Sequence, residues 1–144
     1  MKFSHIFFIV LIVSFMTACS HMSKHNQASL YEKLGGEEGV AVIVNNLTIN
    51  IGHDQQIFHY FAEANVTRFK KNLTQHLCAI SDGPCQYEGD SMEQIHHGMD
   101  INERDFNHLV DLLIDAMDEA GISHPTQNLL LARLAPLRQQ IIYR

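Results

Sequence analysis

The sequence predicts a single all-α domain, with about four main helices and several short ones. Three observations carry that expectation. Apolar residues recur at steps of three and four along four stretches, the period of a helix with one buried face. No stretch shows the two-residue alternation of a half-buried strand. Glycine, asparagine and proline fall between the stretches, where helices start and stop. The length, 144 residues, suits one domain. The net charge of −6 argues against nucleic acid as a partner, because a phosphate ladder is bound by surplus cations.

The first residues read differently from the rest. Lys2 gives a short basic start, and Ile6 to Phe15 is apolar apart from Ser14. That run is short for a membrane span and suits the core of a signal peptide. Met16-Thr17-Ala18-Cys19 places a small residue before a cysteine and resembles the lipobox of bacterial lipoproteins, with methionine where leucine is usual. In that family the cysteine is lipidated and becomes the first mature residue. An ordinary secretory signal and an uncleaved anchor are the alternatives. The expected layout is a signal peptide over 1–18, a lipidated tether over 19–28 and a folded domain over 29–144. The tether is polar and aperiodic, as a flexible linker is. A lipid on Cys19 would make a membrane the partner and place the domain in the cell envelope, facing the periplasm.

Within the domain, Leu30 to Leu34 reads as one helical turn closed by Gly35-Gly36. Glu37 and Glu38 open the next helix, where acids suit the positive end of the dipole. Val40, Ile43, Val44, Leu47 and Ile51 form its apolar face, and Gly52-His53-Asp54 ends it. Ile57 to Phe61 is a dense apolar and aromatic cluster in a short connection. It reads either as a turn packed on the core or as a wall against a flat ligand. The following helix runs from about Asn65 to Ile80, with Val66, Phe69, Leu73, His76, Leu77 and Ile80 on one face. Arg68, Lys70 and Lys71 flank that face, as a solvated surface or as partners for ligand carboxylates.

Cys78 and Cys85 bracket a turn containing Gly83-Pro84. With Cys19 lipidated they are an even pair in an exported chain, which favours a disulfide over two free thiols. A short helix then carries Met92 and Ile95 on one face and His96 near its end, and Gly98 stops it. Such a histidine is either a hydrogen-bonded core residue or an aimed, neutral metal ligand in dry surroundings. The ten histidines otherwise lack the H-E-x-x-H or Cys/His spacing of a zinc site. Asn102 caps a long helix whose stripe is Phe106, Leu109, Val110, Leu113, Met117 and Ala120, ended by Gly121. Ser123-His124-Pro125 begins the last helix, with Leu130, Leu134, Leu137 and Ile141 buried and a kink expected at Pro136.

Taken together, these residues resemble the group I truncated haemoglobins, small globins with a two-over-two helical sandwich around haem. The shared pattern spans 29–142: Leu30 to Gly36, Tyr60-Phe61, Gly83 to Gly98, Ile101, Phe106 and Ala135 to Arg138. The resemblance implies haem b as cofactor, with His96 as the proximal iron ligand. It implies that Phe61 stacks on the haem and that Met92, Ile95, Ile101 and Phe106 contact its proximal side. Phe69, Leu73 and Thr48 match distal positions, and His76 stands where an aromatic residue is common. Three departures matter: His76 is one, Asp82-Gly83 stands where a second double glycine is usual, and the third is distal. Thr48 replaces the usual tyrosine and Leu73 a common glutamine, so the distal pocket lacks its usual donors.

The resemblance therefore implies a protein that binds diatomic gases, with oxygen loosely held. A nitric oxide dioxygenase or peroxidase-like enzyme is the alternative. It would need a separate reductase, because the chain carries no G-x-G-x-x-G fingerprint. A globin-shaped lipoprotein without haem is a third class, disfavoured by His96 and Phe61.

Overall fold

The structure, a computed structural model, describes residues 28–144. The expected signal peptide, Cys19 and nearly all of the expected tether lie outside the described residues. Ser29 starts the fold. Its Oγ accepts the Glu32 N–H at 3.2 Å while its own N–H donates to Glu32 at 2.7 Å. This reciprocal pair satisfies two donors at the start of α1 (Leu30–Lys33). Gly35 and Gly36 follow with φ of +91° and +65°, a left-handed bend that lets the chain turn directly into α2 (Gly36–His53). The joint is tight: a Cβ on Gly39 would collide with the Leu34 carbonyl.

Asp54 ends α2 by taking the Gln56 and Ile57 N–H groups on one carboxylate oxygen, each at 2.9 Å. Its other oxygen meets His108 Nε2 at 2.6 Å. A 3-10 turn, Phe58–Tyr60, leads to α3 (Val66–Ile80), capped by Asn65, whose side chain accepts the Arg68 N–H. The short α4 is Met92–His96, and α5 (Glu103–Glu119) is capped by Asn102. The last helix differs from expectation. Instead of one kinked helix, α6 (His124–Leu134) stops and a 3-10 helix, Ala135–Gln140, continues. Pro136 has no N–H to give, and its ring crowds the carbonyl four residues back, so the α-helical ladder ends there.

α2 is the hub and packs mainly on α5 and α3. Its stripe is buried as its spacing predicts, with Val40, Ile43 and Val44 almost fully enclosed. Leu34, Ile57, Leu77, Met117 and Leu130 complete the core. Each such side chain contributes about 1.5–3 kcal/mol on burial. No strand occurs among the described residues, and none of the described helices is long and apolar enough to cross a membrane. A disulfide joins Cys78, at the end of α3, to Cys85 in the loop beyond it.

Candidate functional site

The site is built around α4. Ser91 caps it, accepting the Gln94 N–H, while Gln94 returns to the Ser91 N–H at 2.9 Å. This S-x-x-Q capping box, a signal passed over in the sequence reading, explains how a single turn of helix holds its place. The His96 Nδ1 lies 2.7 Å from the Met92 carbonyl. A carbonyl only accepts, so Nδ1 carries the proton and Nε2 keeps its lone pair. Burial lowers the His96 pKa, against a smaller opposing effect of the Met92 bond. The imidazole is therefore neutral near pH 7 and presents one nitrogen as a ligand.

Beyond Gly98, whose φ is +79°, the end of the chain holds the segment leading to α5. The Arg144 carbonyl accepts from the Gly98 and Asp100 N–H groups at 2.9 and 3.2 Å, and the Ile101 carbonyl accepts the Tyr143 N–H at 2.9 Å. These bonds complete the mounting of α4.

His96 lines a largely apolar cavity of about 480 Å³ between α3, α4, α5 and the C-terminal 3-10 helix. Its walls include Phe61, Phe69, Leu73, His76, Met92, Ile95 and Phe106, which the sequence reading had singled out. Phe61 and Phe69 meet edge to face, with centroids 5.4 Å apart. Two expected members stand elsewhere. Ile101 is buried beside the C-terminal segment and is not part of the wall. Thr48 is also outside the wall, and its hydroxyl donates to the Val44 carbonyl at 2.6 Å, so its neighbour Leu47 lines the cavity instead. A β-branched hydroxyl within a helix has its own i−4 carbonyl in reach, and no ligand is needed to satisfy it.

Other walls were read only as core stripes: Leu113, Leu134, Leu137 and Ile141. Periodicity identifies an inward face but not whether that face meets a neighbour or a void. Tyr87 was quoted in the motif without a role; it lies edge-on to His76, with centroids 5.0 Å apart. Of the basic cluster, Arg68 lines the mouth near Asp90, while Lys70 donates to Asn45 at 2.8 Å.

The cavity suits a flat apolar macrocycle that carries a metal. Its volume lies in the range of ligand pockets. Ile95 is 42% exposed on its wall, apolar surface that an occupant would cover. His96 offers a nitrogen lone pair. The buried Nε2 of His76 has no hydrogen-bond partner, and burial lowers that ring's pKa, which keeps it neutral. A second cavity of about 420 Å³, between α2 and α5, is open and polar and contains none of these residues. No group of three or more His, Cys, Asp or Glu among the described residues could hold a metal ion without such a macrocycle.

The fold recurs in known proteins. The family model for bacterial-like globins matches residues 29–143. A group 1 truncated haemoglobin from Mycolicibacterium paratuberculosis is 31% identical over 126 residues, covering 88% of this chain and 93% of that one. One from Tetrahymena pyriformis is 27% identical over 100 residues, covering 69% and 83%. Among solved structures, a T. pyriformis truncated haemoglobin superposes with a TM-score of 0.78 at 24% identity, over 81% of this chain and all of that one. A Synechococcus 2/2 haemoglobin with covalently attached haem gives 0.72 at 20% identity, over 78% and 95%.

Proposed function

The chain belongs to the bacterial-like globin family, its fold is that of the two-over-two truncated haemoglobins, and from that premise we propose that it binds haem b through His96 and diatomic gases through the haem. The observation that carries the reading is the His96 imidazole: neutral, aimed by its bond to Met92, and set in the wall of an apolar cavity. Haem, when bound, would supply the iron chemistry that takes up oxygen, nitric oxide or carbon monoxide.

The chain's own residues would do the rest. Phe61, Phe69, Leu73, Ile95 and Phe106 exclude water and hold the macrocycle by apolar contact. Met92 serves twice, as a wall and as the carbonyl that fixes the His96 tautomer. Arg68 lies at the mouth, where carboxylates of the macrocycle would meet a cation. Oxygen would be held loosely, because the Thr48 hydroxyl is committed to its own helix and Leu73 offers no donor. We place the protein in the cell envelope, anchored by a lipid on Cys19 after removal of residues 1–18; the motif at Met16 to Cys19 supports this.

The test is an ultraviolet–visible spectrum of residues 20–144 reconstituted with haemin, beside His96→Ala. A sharp Soret band that shifts on reduction and on carbon monoxide addition is expected in the wild type and not in the variant. Equal behaviour of the two proteins would refute the reading.

A further inference from the structure

We propose that the segment Cys85 to Asp90 is a strap along the side of the cavity, anchored covalently at one end and latched weakly at the other, which sets how fast the bound macrocycle leaves. The proposal rests on the haem reading above. The strap runs back along α3, antiparallel to it, and touches it at three places in order. Cys85 is bonded to Cys78, Tyr87 lies edge-on against His76 at 5.0 Å, and Asp90 pairs with Arg68 at 3.8 Å. Tyr87, Asp90, His76 and Arg68 all line the cavity, so the strap forms part of its wall.

The strap is also folded on itself. The Tyr87 hydroxyl donates to the Asp90 carbonyl at 3.0 Å, and a Cβ on Gly89 would collide with the Tyr87 ring. Tyr87 therefore moves with the segment it belongs to. The two ends are unequal. Cys78 is buried, whereas the Arg68 and Asp90 side chains are 72% and 62% exposed, so their attraction is weak and screened by salt. Opening should start at Asp90 and run toward Cys85, where the disulfide stops it. Without the disulfide, the strap is free back to Gly83, whose N–H donates to the Cys78 carbonyl at 2.9 Å. The wall that Tyr87 and His76 form would then part more often.

The experiment measures haem transfer from the ferric holoprotein to excess apomyoglobin, followed in the Soret region. The expected result for the Cys78→Ser/Cys85→Ser pair is transfer faster by on the order of tenfold, since a lost cross-link lets a local opening spread. Tyr87→Ala should accelerate transfer to a similar extent. In the Tyr87→Ala background the serine pair should add less than about twofold, because contacts in one chain of effects are not additive. Raised salt should speed wild-type transfer, and Asp90→Asn should remove most of that response. If the serine pair does not fold, the salt response and Tyr87→Ala decide the matter. Wild-type rates in the serine pair, fully multiplicative effects, or salt-independent transfer would overturn the strap while leaving the haem reading intact. A wild type with no Soret band would overturn both.

Discussion

Asp105 is buried yet charged, and its surroundings explain why. It accepts from Gln56 at 2.8 Å, Tyr60 at 3.0 Å and Asn102 at 2.8 Å. Burial pushes its pKa up, but those three donors and the nearby Arg104 charge together hold it below the usual carboxylate value. The knot ties the 3-10 turn to the start of α5, the two segments next to Phe61 and Phe106 in the cavity wall. Asp105→Ala should cost about 2–4 kcal/mol, read by urea unfolding, because it leaves buried donors unpaired. The sign of the pH dependence follows. A carboxylate with a lowered folded pKa contributes stability in full above its unfolded value, about 3.9, and loses it as pH falls through the folded value. Asp105→Asn should therefore flatten the acid limb of the stability profile; an unchanged limb would contradict this account. Leu73, which is in the cavity wall, offers a second test at the same scale. Leu73→Gln should slow oxygen dissociation by roughly thirtyfold, the equivalent of a hydrogen bond of about 2 kcal/mol, measured by stopped flow. An unchanged rate would show that the lack of a distal donor is not what loosens oxygen.

At the scale of elements, the joint between α1 and α2 combines turn hydrogen bonds, Gly35 N–H to the Glu32 carbonyl and Gly39 N–H to the Gly35 carbonyl, with a very close approach. The Leu34 carbonyl lies where a Cβ on Gly39 would be, and Leu34 itself is fully buried. Gly39→Ala should cost about 2–3 kcal/mol, visible as a lowered thermal midpoint, because neither backbone can give way without disturbing the core. A neutral result would mean that α1 can swing away from α2. The sequence showed the glycine pair at Gly35-Gly36 but not the contact at Gly39, since a steric limit depends on what the fold brings near. α4 was legible in its histidine and its apolar face, while its capping box went unread. The last helix was legible only in its stripe. Pro136 signalled a disturbance, yet whether it bends a helix or ends one depends on what supports the backbone beyond it.

For the whole molecule, periodicity and punctuation were enough to specify the all-α fold of the described residues, the order of its helices and their inward faces, apart from Val66, which is 55% exposed. Those are local properties, set by which residues recur every three or four positions. The Cys78–Cys85 pairing was within reach of the sequence for a similar reason: the turn between them is short and proline-bearing. Tertiary structure decided how the inward faces divide. Leu130 is sealed in the core while Leu134 and Leu137, on the same stripe, line the cavity. It also decided that Thr48 spends its hydroxyl on Val44, that His76 keeps a buried nitrogen without a partner, and that Tyr87 closes the side of α3. A residue's periodicity says which way it faces within its helix; only the packing of the other helices determines whether it meets a side chain, a carbonyl or an open cavity.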